Sequence, residues 1–207
     1  MKPRVVGIAG LSGSGKTELA RQLAERLHGE SAAITLDSYY HGQSHLPLSE
    51  RARLNYDHPD ALDWALLEEH LGAQARGESI EEPVYRFDQH TRLAAETRRV
   101  GPKPFLILEG ILALHRPEIR DRLDLKVFVV TRPEECLRRR LERDIAERGR
   151  TRESVIDQYE KTVWPMALRY VLPSREFADI VVSGEEPIDT AVAQVMHMLR
   201  GRSAAAG

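Results

Sequence analysis

Gly10-Leu11-Ser12-Gly13-Ser14-Gly15-Lys16-Thr17 stands between a short apolar run, Val5-Val6-Gly7-Ile8-Ala9, and a segment in which Leu19, Ala20, Leu23, Ala24 and Leu27 recur at helical spacing. A glycine-rich loop that ends in Lys-Thr between a strand and a helix is a phosphate-binding loop. Glycines let the backbone curl so that successive N–H groups point inward, and the helix beginning near Lys16 adds its positive N-terminal end. In this setting Gly10, Ser12, Gly13, Ser14 and Gly15 form the cradle, Lys16 reaches the β- and γ-phosphates, and the Thr17 hydroxyl serves Mg²⁺.

Further apolar runs along the chain read as strands: Ala32 to Leu36, Phe105 to Leu108, Lys126 to Val130 and Ile180 to Val182. With Val5 to Ala9 they make five. Continuous rather than alternating apolar runs fit strands covered on both faces, so a parallel five-stranded sheet with helices on each side is expected. Asp37 and Glu109 then fall at the carboxyl ends of their strands, the edge at which open α/β sheets bind ligands. Asp63 is placed to cap a helix reaching to about Arg76, Pro117 and Pro133 suit first helical turns, and Pro165 should kink or break a helical pattern from about Glu153 to Val171. Residues 80–100 break the βα alternation. Val84 to Phe87 and Thr97 to Val100 suggest a small β-hairpin insertion joined through Asp88 to Thr91, and residues 201–207 suggest a frayed tail.

The chain has 207 residues, enough for one domain with a substantial core. Its formal net charge of −2, with charged residues at 30%, gives no sign of a nucleic-acid-coating surface. No apolar run approaches the length of a membrane span, and the apolar N-terminal stretch is broken by glycine before it enters the loop, so a cytoplasmic protein is expected. The single cysteine, Cys136, excludes an internal disulfide and a cysteine-rich metal site.

Beyond the loop, Asp37 could accept a proton from an attacking hydroxyl or hold a metal-bound water, and Glu109, closing Phe-Leu-Ile-Leu-Glu, would bind Mg²⁺ through water. An Asp that opens a turn and a Glu that caps a helix are the plainer accounts of both. The helix from Pro133 carries Arg138, Arg139, Arg140 and Arg143, followed by Arg148-Gly149-Arg150. Pairs from Glu134 to Arg138 and Glu135 to Arg139 would make it an ordinary salt-bridged helix. Arg140 to Asp144 and Arg143 to Glu147 run in the less favourable order, and a guanidinium-rich lid over a triphosphate, across residues 138–152, accounts for them better. From position alone, His90 and Tyr85 are surface residues without a duty, and Asp57-His58-Pro59-Asp60 is a turn.

Taken together, these segments resemble the uridine kinase (uridine-cytidine kinase) family of P-loop kinases. The likeness is carried by Gly10 to Thr17, Asp37 to Tyr40, Asn55 to Asp63, Pro83 to Tyr85 with His90 to Arg92, Leu108 to Leu112, Arg143-Asp144 with Glu147 to Arg150, and Gln158-Tyr159, in the family's order over nearly the whole chain. The resemblance implies a three-layer P-loop α/β/α fold with a helical lid, and transfer of the ATP γ-phosphoryl to the 5′-hydroxyl of uridine or cytidine. It makes Asp37 the base, sets Thr17, Asp37 and Glu109 around Mg²⁺, and gives Asp57 and Arg140 the ribose hydroxyls. Tyr40, Tyr56, Tyr85, Phe87, His90, Arg150 and Gln158 are implied to line the nucleoside pocket, and Arg143 and Arg148 to touch the ATP phosphates. His90 implies acceptance of both pyrimidines. A homotetramer and feedback by UTP or CTP are likewise implied, and GTP stays open as a donor. The segment after Tyr40 departs from the family, and the loop reads Leu-Ser-Gly-Ser where relatives often have Gly-Ser-Ala-Ser. Two other readings stay open: a P-loop kinase of another alcohol, such as phosphoribulokinase or pantothenate kinase, and a nucleotide-binding module without catalysis.

Overall fold

The computed structural model describes residues 3–204. Five strands form one parallel sheet: β1 (Arg4–Gly10), β2 (Ser31–Thr35), β5 (Phe105–Glu109), β6 (Leu125–Val130) and β7 (Ile180–Ser183), in the order β2-β5-β1-β6-β7. All five are strands that the apolar runs predict. Alternate residues of each strand face opposite layers. Val5, Ala9, Leu106, Leu108 and Phe128 belong to one core, with Leu67 and Leu71 of α3 (Trp64–Ala75), whereas Val6, Ile8, Ile107, Val127 and Val129 belong to the other. The second core is closed by Leu19 and Leu23 of α1 (Lys16–Arg26) and by Val192, Val195 and Leu199 of α8 (Ile188–Ala204). The central strands β1, β5 and β6 are therefore buried on both faces, which is why their sequences run apolar without alternation, whereas edge strands β2 and β7 are only partly covered, with Val181 exposed.

The remaining helices are α2 (Leu48–Arg51), α4 (Pro117–Arg120), α5 (Pro133–Arg148), α6 (Arg152–Gln158) and α7 (Trp164–Met166). Proline opens α4 and α5, and Asp63 Oδ1 accepts the Leu66 N–H at 3.2 Å to cap α3. Pro165 does not break the helical path. Two π-turns, Tyr159–Val163 and Ala167–Val171, flank α7 and widen the helix so that the chain passes the proline without ending.

Several boundaries differ from the sequence expectation. Leu36 is not strand: β2 stops at Thr35, whose Oγ1 accepts the Asp37 N–H at 3.3 Å and caps a 3₁₀ turn over Leu36–Tyr39. Residues 201–204 of the expected tail are helical, because α8 runs on through Ala204, with Leu199 buried and its carbonyl accepting from Arg4 Nη1 at 2.8 Å; residues 205–207 lie outside the described residues.

The insertion is a hairpin, β3 (Ile80–Arg86) with β4 (Thr91–Val100), whose register shifts between Pro83 and Tyr85. β4 starts six residues before Thr97, the expected start, because cross-strand pairing carries a segment whose own side chains give little strand signal. The hairpin is tied to the sheet edge through Glu82 and Arg98. Glu82 Oε1 accepts the Thr35 N–H at 3.1 Å, and Arg98 Nη2 donates to the Ala33 carbonyl at 2.6 Å. Its tip therefore hangs beside the C-terminal ends of β2 and β5.

Candidate active site

The phosphate loop has the backbone its sequence demands. Gly13 and Gly15 adopt φ of +85° and +97°, and a Cβ on Gly13 would sit 2.3 Å from the Cys136 carbonyl oxygen of α5. Gly13→Ala should therefore lower stability by about 1–3 kcal/mol through the backbone strain alone. Because the loop must shift to relieve the clash, ATP binding should weaken at least in step, and a thermal melt with and without ATP reads both.

One cleft runs along the C-terminal edge of the sheet in two lobes. The first is lined by Ser12, Tyr40, Tyr56, Asp57, Tyr85, His90, Arg140, Arg150 and Gln158 among others. The second lies over Gly13, Gly15, Thr35, Glu109, Arg139 and Glu186. Lys16, Thr17, Asp37, Phe87, Arg143 and Arg148 line both. Every residue given a catalytic, phosphate, metal or nucleoside role in the sequence is thus at this cleft except Gly10 and Ser14, which lie in the wall of the loop, while Arg138 of the expected lid faces outward. Gly10 there leaves room for the Ser14 hydroxyl, to which a Cβ would come within 2.6 Å.

At the junction, Glu109 is held through both oxygens: Oε2 accepts from Thr17 Oγ1 at 3.2 Å and Oε1 from Thr35 Oγ1 at 2.8 Å. Burial pushes its carboxyl above the usual glutamate range, with Lys16 opposing the rise and Asp37 adding to it. Thr17, Asp37 and Glu109 present only hard oxygens. Among the described residues no group of three or more His, Cys, Asp or Glu side chains could hold a metal by itself. That set fits Mg²⁺, which binds through one or two carboxylates together with substrate phosphates and water.

In the first lobe Asp57 is 7% exposed, and among the described residues its carboxylate has no hydrogen-bond partner. Burial raises its pKa, while Arg140 and Lys16 pull it back. Tyr56, Tyr40, Tyr85 and Phe87 form a chain of ring contacts along this wall, and Tyr56 stacks on His90 with ring centroids 5.8 Å apart. The Tyr56 hydroxyl donates to the His90 carbonyl at 3.0 Å, which holds His90 in its left-handed conformation at the hairpin tip. Burial, with Arg150 and Arg148 nearby, lowers the His90 pKa, so its ring is neutral at pH 7 and offers one donor and one acceptor.

The arginines of α5 divide by depth. On the outer face Arg138 pairs with Glu135 and Glu142 rather than Glu134, and Arg139 pairs with Glu135. On the inner face Asp144, 0% exposed, gathers Arg143 at 2.8 Å, Arg148 at 3.4 Å, Arg140 at 3.6 Å and Arg150 at 3.7 Å. Burial alone would raise the Asp144 pKa, but Arg140, Arg143 and Arg148 outweigh it and hold it low. Arg140 also donates to Ser12 Oγ and to Gln158 Oε1, both at 2.9 Å, and Arg150 Nη1 donates to the same Gln158 oxygen. The Arg148 guanidinium lies 3.9 Å above the Phe87 ring, so the arginine segment and the hairpin tip meet over the cleft.

Sequence reasoning gave Asp144 no role. The signal was its position four residues after Arg140, an order that is weak on an exposed helix but strong when both groups are buried. Thr35 carried no signal at all.

A family model described as the phosphoribulokinase / uridine kinase family matches residues 5–191. The uridine kinase of Shewanella amazonensis is 47% identical over 204 residues, covering 94% of this chain and 96% of its own length. That of Ligilactobacillus salivarius is 46% identical over 206 residues, covering 97% and 96%. Among solved structures, phosphoribulokinase from Rhodobacter spheroides superimposes with a TM-score of 0.66 at 19% identity, covering 90% of this chain and 74% of that one. D-glycerate 3-kinase from Cryptococcus neoformans gives 0.63 at 18%, covering 90% and 88%. At that identity the structural likeness speaks for the fold alone.

Proposed function

Because the chain belongs to the phosphoribulokinase / uridine kinase family, we propose that it is an ATP-dependent nucleoside kinase that phosphorylates the 5′-hydroxyl of uridine and cytidine. Its full-length likeness to uridine kinases supports the nucleoside acceptor over a sugar phosphate or pantothenate. The observation that carries the reading is in the first lobe: a buried Asp57 carboxylate, without a hydrogen-bond partner among the described residues, in a lobe walled by Tyr56, Tyr85 and His90 and opening onto Lys16 and Asp37. A carboxylate can accept two hydrogen bonds from a ribose diol, and a neutral imidazole can pair with the polar edge of either pyrimidine.

In this reading ATP lies over the phosphate loop, and its γ-phosphoryl reaches the junction of the lobes. Asp37 accepts the proton of the 5′-hydroxyl as the new O–P bond forms and ADP leaves. Lys16, Arg143 and Arg148 offset charge on the transferring group, and Phe87 with the tyrosines keeps water from it. Thr17, Asp37 and Glu109 would hold Mg²⁺, which supplies charge neutralisation on the phosphates. A cytoplasmic location and a homo-oligomer belong to the same proposal, with GTP left open as a second donor.

ADP release with ATP and Mg²⁺ is the test, comparing uridine, cytidine, 2′-deoxyuridine, pantothenate and no acceptor, with products identified by mass. Monophosphates from uridine and cytidine are expected. The 2′-deoxy analogue should lose at least about tenfold in kcat/KM, because it leaves the buried Asp57 carboxylate short of a partner. Turnover of only one pyrimidine would remove the role given to His90, and preference for pantothenate would overturn the nucleoside reading.

A further inference from the structure

We propose that Thr35, which belongs to no motif of the chain, is a positioning residue that sets Asp37 and Glu109 relative to each other. Thr35 is the last residue of β2 and lies opposite Glu109 in the parallel register of β2 and β5. Its one hydroxyl makes two bonds of opposite sense. It donates to Glu109 Oε1 at 2.8 Å and accepts the Asp37 N–H at 3.3 Å. The second bond turns the chain out of the strand and starts the 3₁₀ turn that carries Asp37. The first leaves the Glu109 carboxylate held by a hydroxyl on each oxygen, Thr35 on one side and Thr17 on the other. A carboxylate gripped in this way has little freedom to rotate, and ligand orientation of this kind governs affinity for a bound ion.

Thr35 is itself held from the far side. Its N–H donates to Glu82 Oε1 at 3.1 Å, and Glu82, 1% exposed, accepts from Arg98 Nε at 2.8 Å. The backbone of Thr35 is therefore fixed by the hairpin, and its hydroxyl is left for the two carboxylate-bearing residues. Valine has nearly the same shape and keeps the backbone bond to Glu82, but it can neither donate nor accept. Serine keeps both hydroxyl bonds and loses only the methyl group.

The inference rests on the reading that Thr17, Asp37 and Glu109 hold Mg²⁺ with ATP, and its test needs no turnover. ATP binding is measured calorimetrically, without nucleoside, in EDTA and across a Mg²⁺ titration, for the wild-type protein, Thr35→Val and Thr35→Ser. The Mg²⁺ concentration that half-maximally tightens ATP binding should rise about 10- to 100-fold in Thr35→Val. Affinity in EDTA should stay within about twofold, and Thr35→Ser should follow the wild type. Wild-type Mg²⁺ dependence in the valine variant overturns the inference, as does a serine variant as impaired as valine. Wild-type ATP binding that ignores Mg²⁺ overturns the metal reading itself and the inference with it. If Thr35→Val does not fold, Thr35→Ala carries the same comparison.

Discussion

Replacing Asp37 by Asn is expected to lower the turnover of phosphoryl transfer by about 10²- to 10⁴-fold while leaving ATP binding at saturating Mg²⁺ nearly unchanged. The substitution keeps the shape of the side chain and removes its capacity to take a proton. Asp37 stands where both lobes of the cleft meet, in the turn capped by Thr35, and its charge is felt by Asp57, Glu109, Tyr40 and Arg148 around it. Removing that charge eases the burial of Asp57 and Glu109, so the fold should not suffer. Steady-state kinetics with uridine, set beside an ATP titration, separates the two effects. Turnover within a few-fold of wild type would take Asp37 out of the proton transfer.

Asp144→Asn should be the most damaging change that touches neither substrate. Removing one partner of a buried ion pair costs about 3–5 kcal/mol, and about 3 kcal/mol is expected here because three of the four arginines keep a fifth to a third of their side-chain surface in solvent. The guanidiniums of Arg140, Arg143, Arg148 and Arg150 would then repel one another with nothing between them. Since Arg143 and Arg148 line both lobes and Arg140 and Arg150 line the first, kcat and the KM values for both substrates should worsen together. Glu142→Gln, which breaks only an exposed pair with Arg138, should leave activity unchanged.

The sign of the pH dependence follows from the lowered pKa of Asp144. Its contribution to stability is fully present above the ordinary aspartate range and is lost as pH falls through the depressed folded value. The stability gap between wild type and Asp144→Asn should therefore be widest at neutral pH and shrink in acid. Urea melts at several pH values measure it, and a gap independent of pH would show that the arginines do not depend on the Asp144 charge.

Much of the molecule was legible because its signals are local. A strand buried on both faces must be apolar at successive positions, a phosphate loop needs glycine where φ is positive, and a helix start needs an acceptor such as Asp63 or a proline such as Pro133. Those rules name the five strands, the loop, the cap of α3 and the acidic residues at the sheet's C-terminal edge. The passage of the chain through Pro165 was not legible. A proline reads as a kink or a break, and burial of Ala167 and Val171 on one side of it and Val155 and Val163 on the other holds the widened helix continuous.

Local sequence signals set the fold class, the phosphate loop and the acidic residues at the strand ends, since each depends on near neighbours in the chain, whereas Asp57, Tyr85 and His90 were pointed out only by the family resemblance. The tertiary structure alone decided how those side chains work together. Arg140 reaches Ser12 across 128 positions, Thr35 reaches Glu109 across 74, and the hairpin tip meets Arg148 through Phe87. The strength of such contacts depends on burial, which the packed layers set and the local pattern does not record. An arginine and an aspartate four residues apart on α5 are an unremarkable pair in solvent. Closed off from water beneath the loop, they become the centre on which four guanidiniums are arranged.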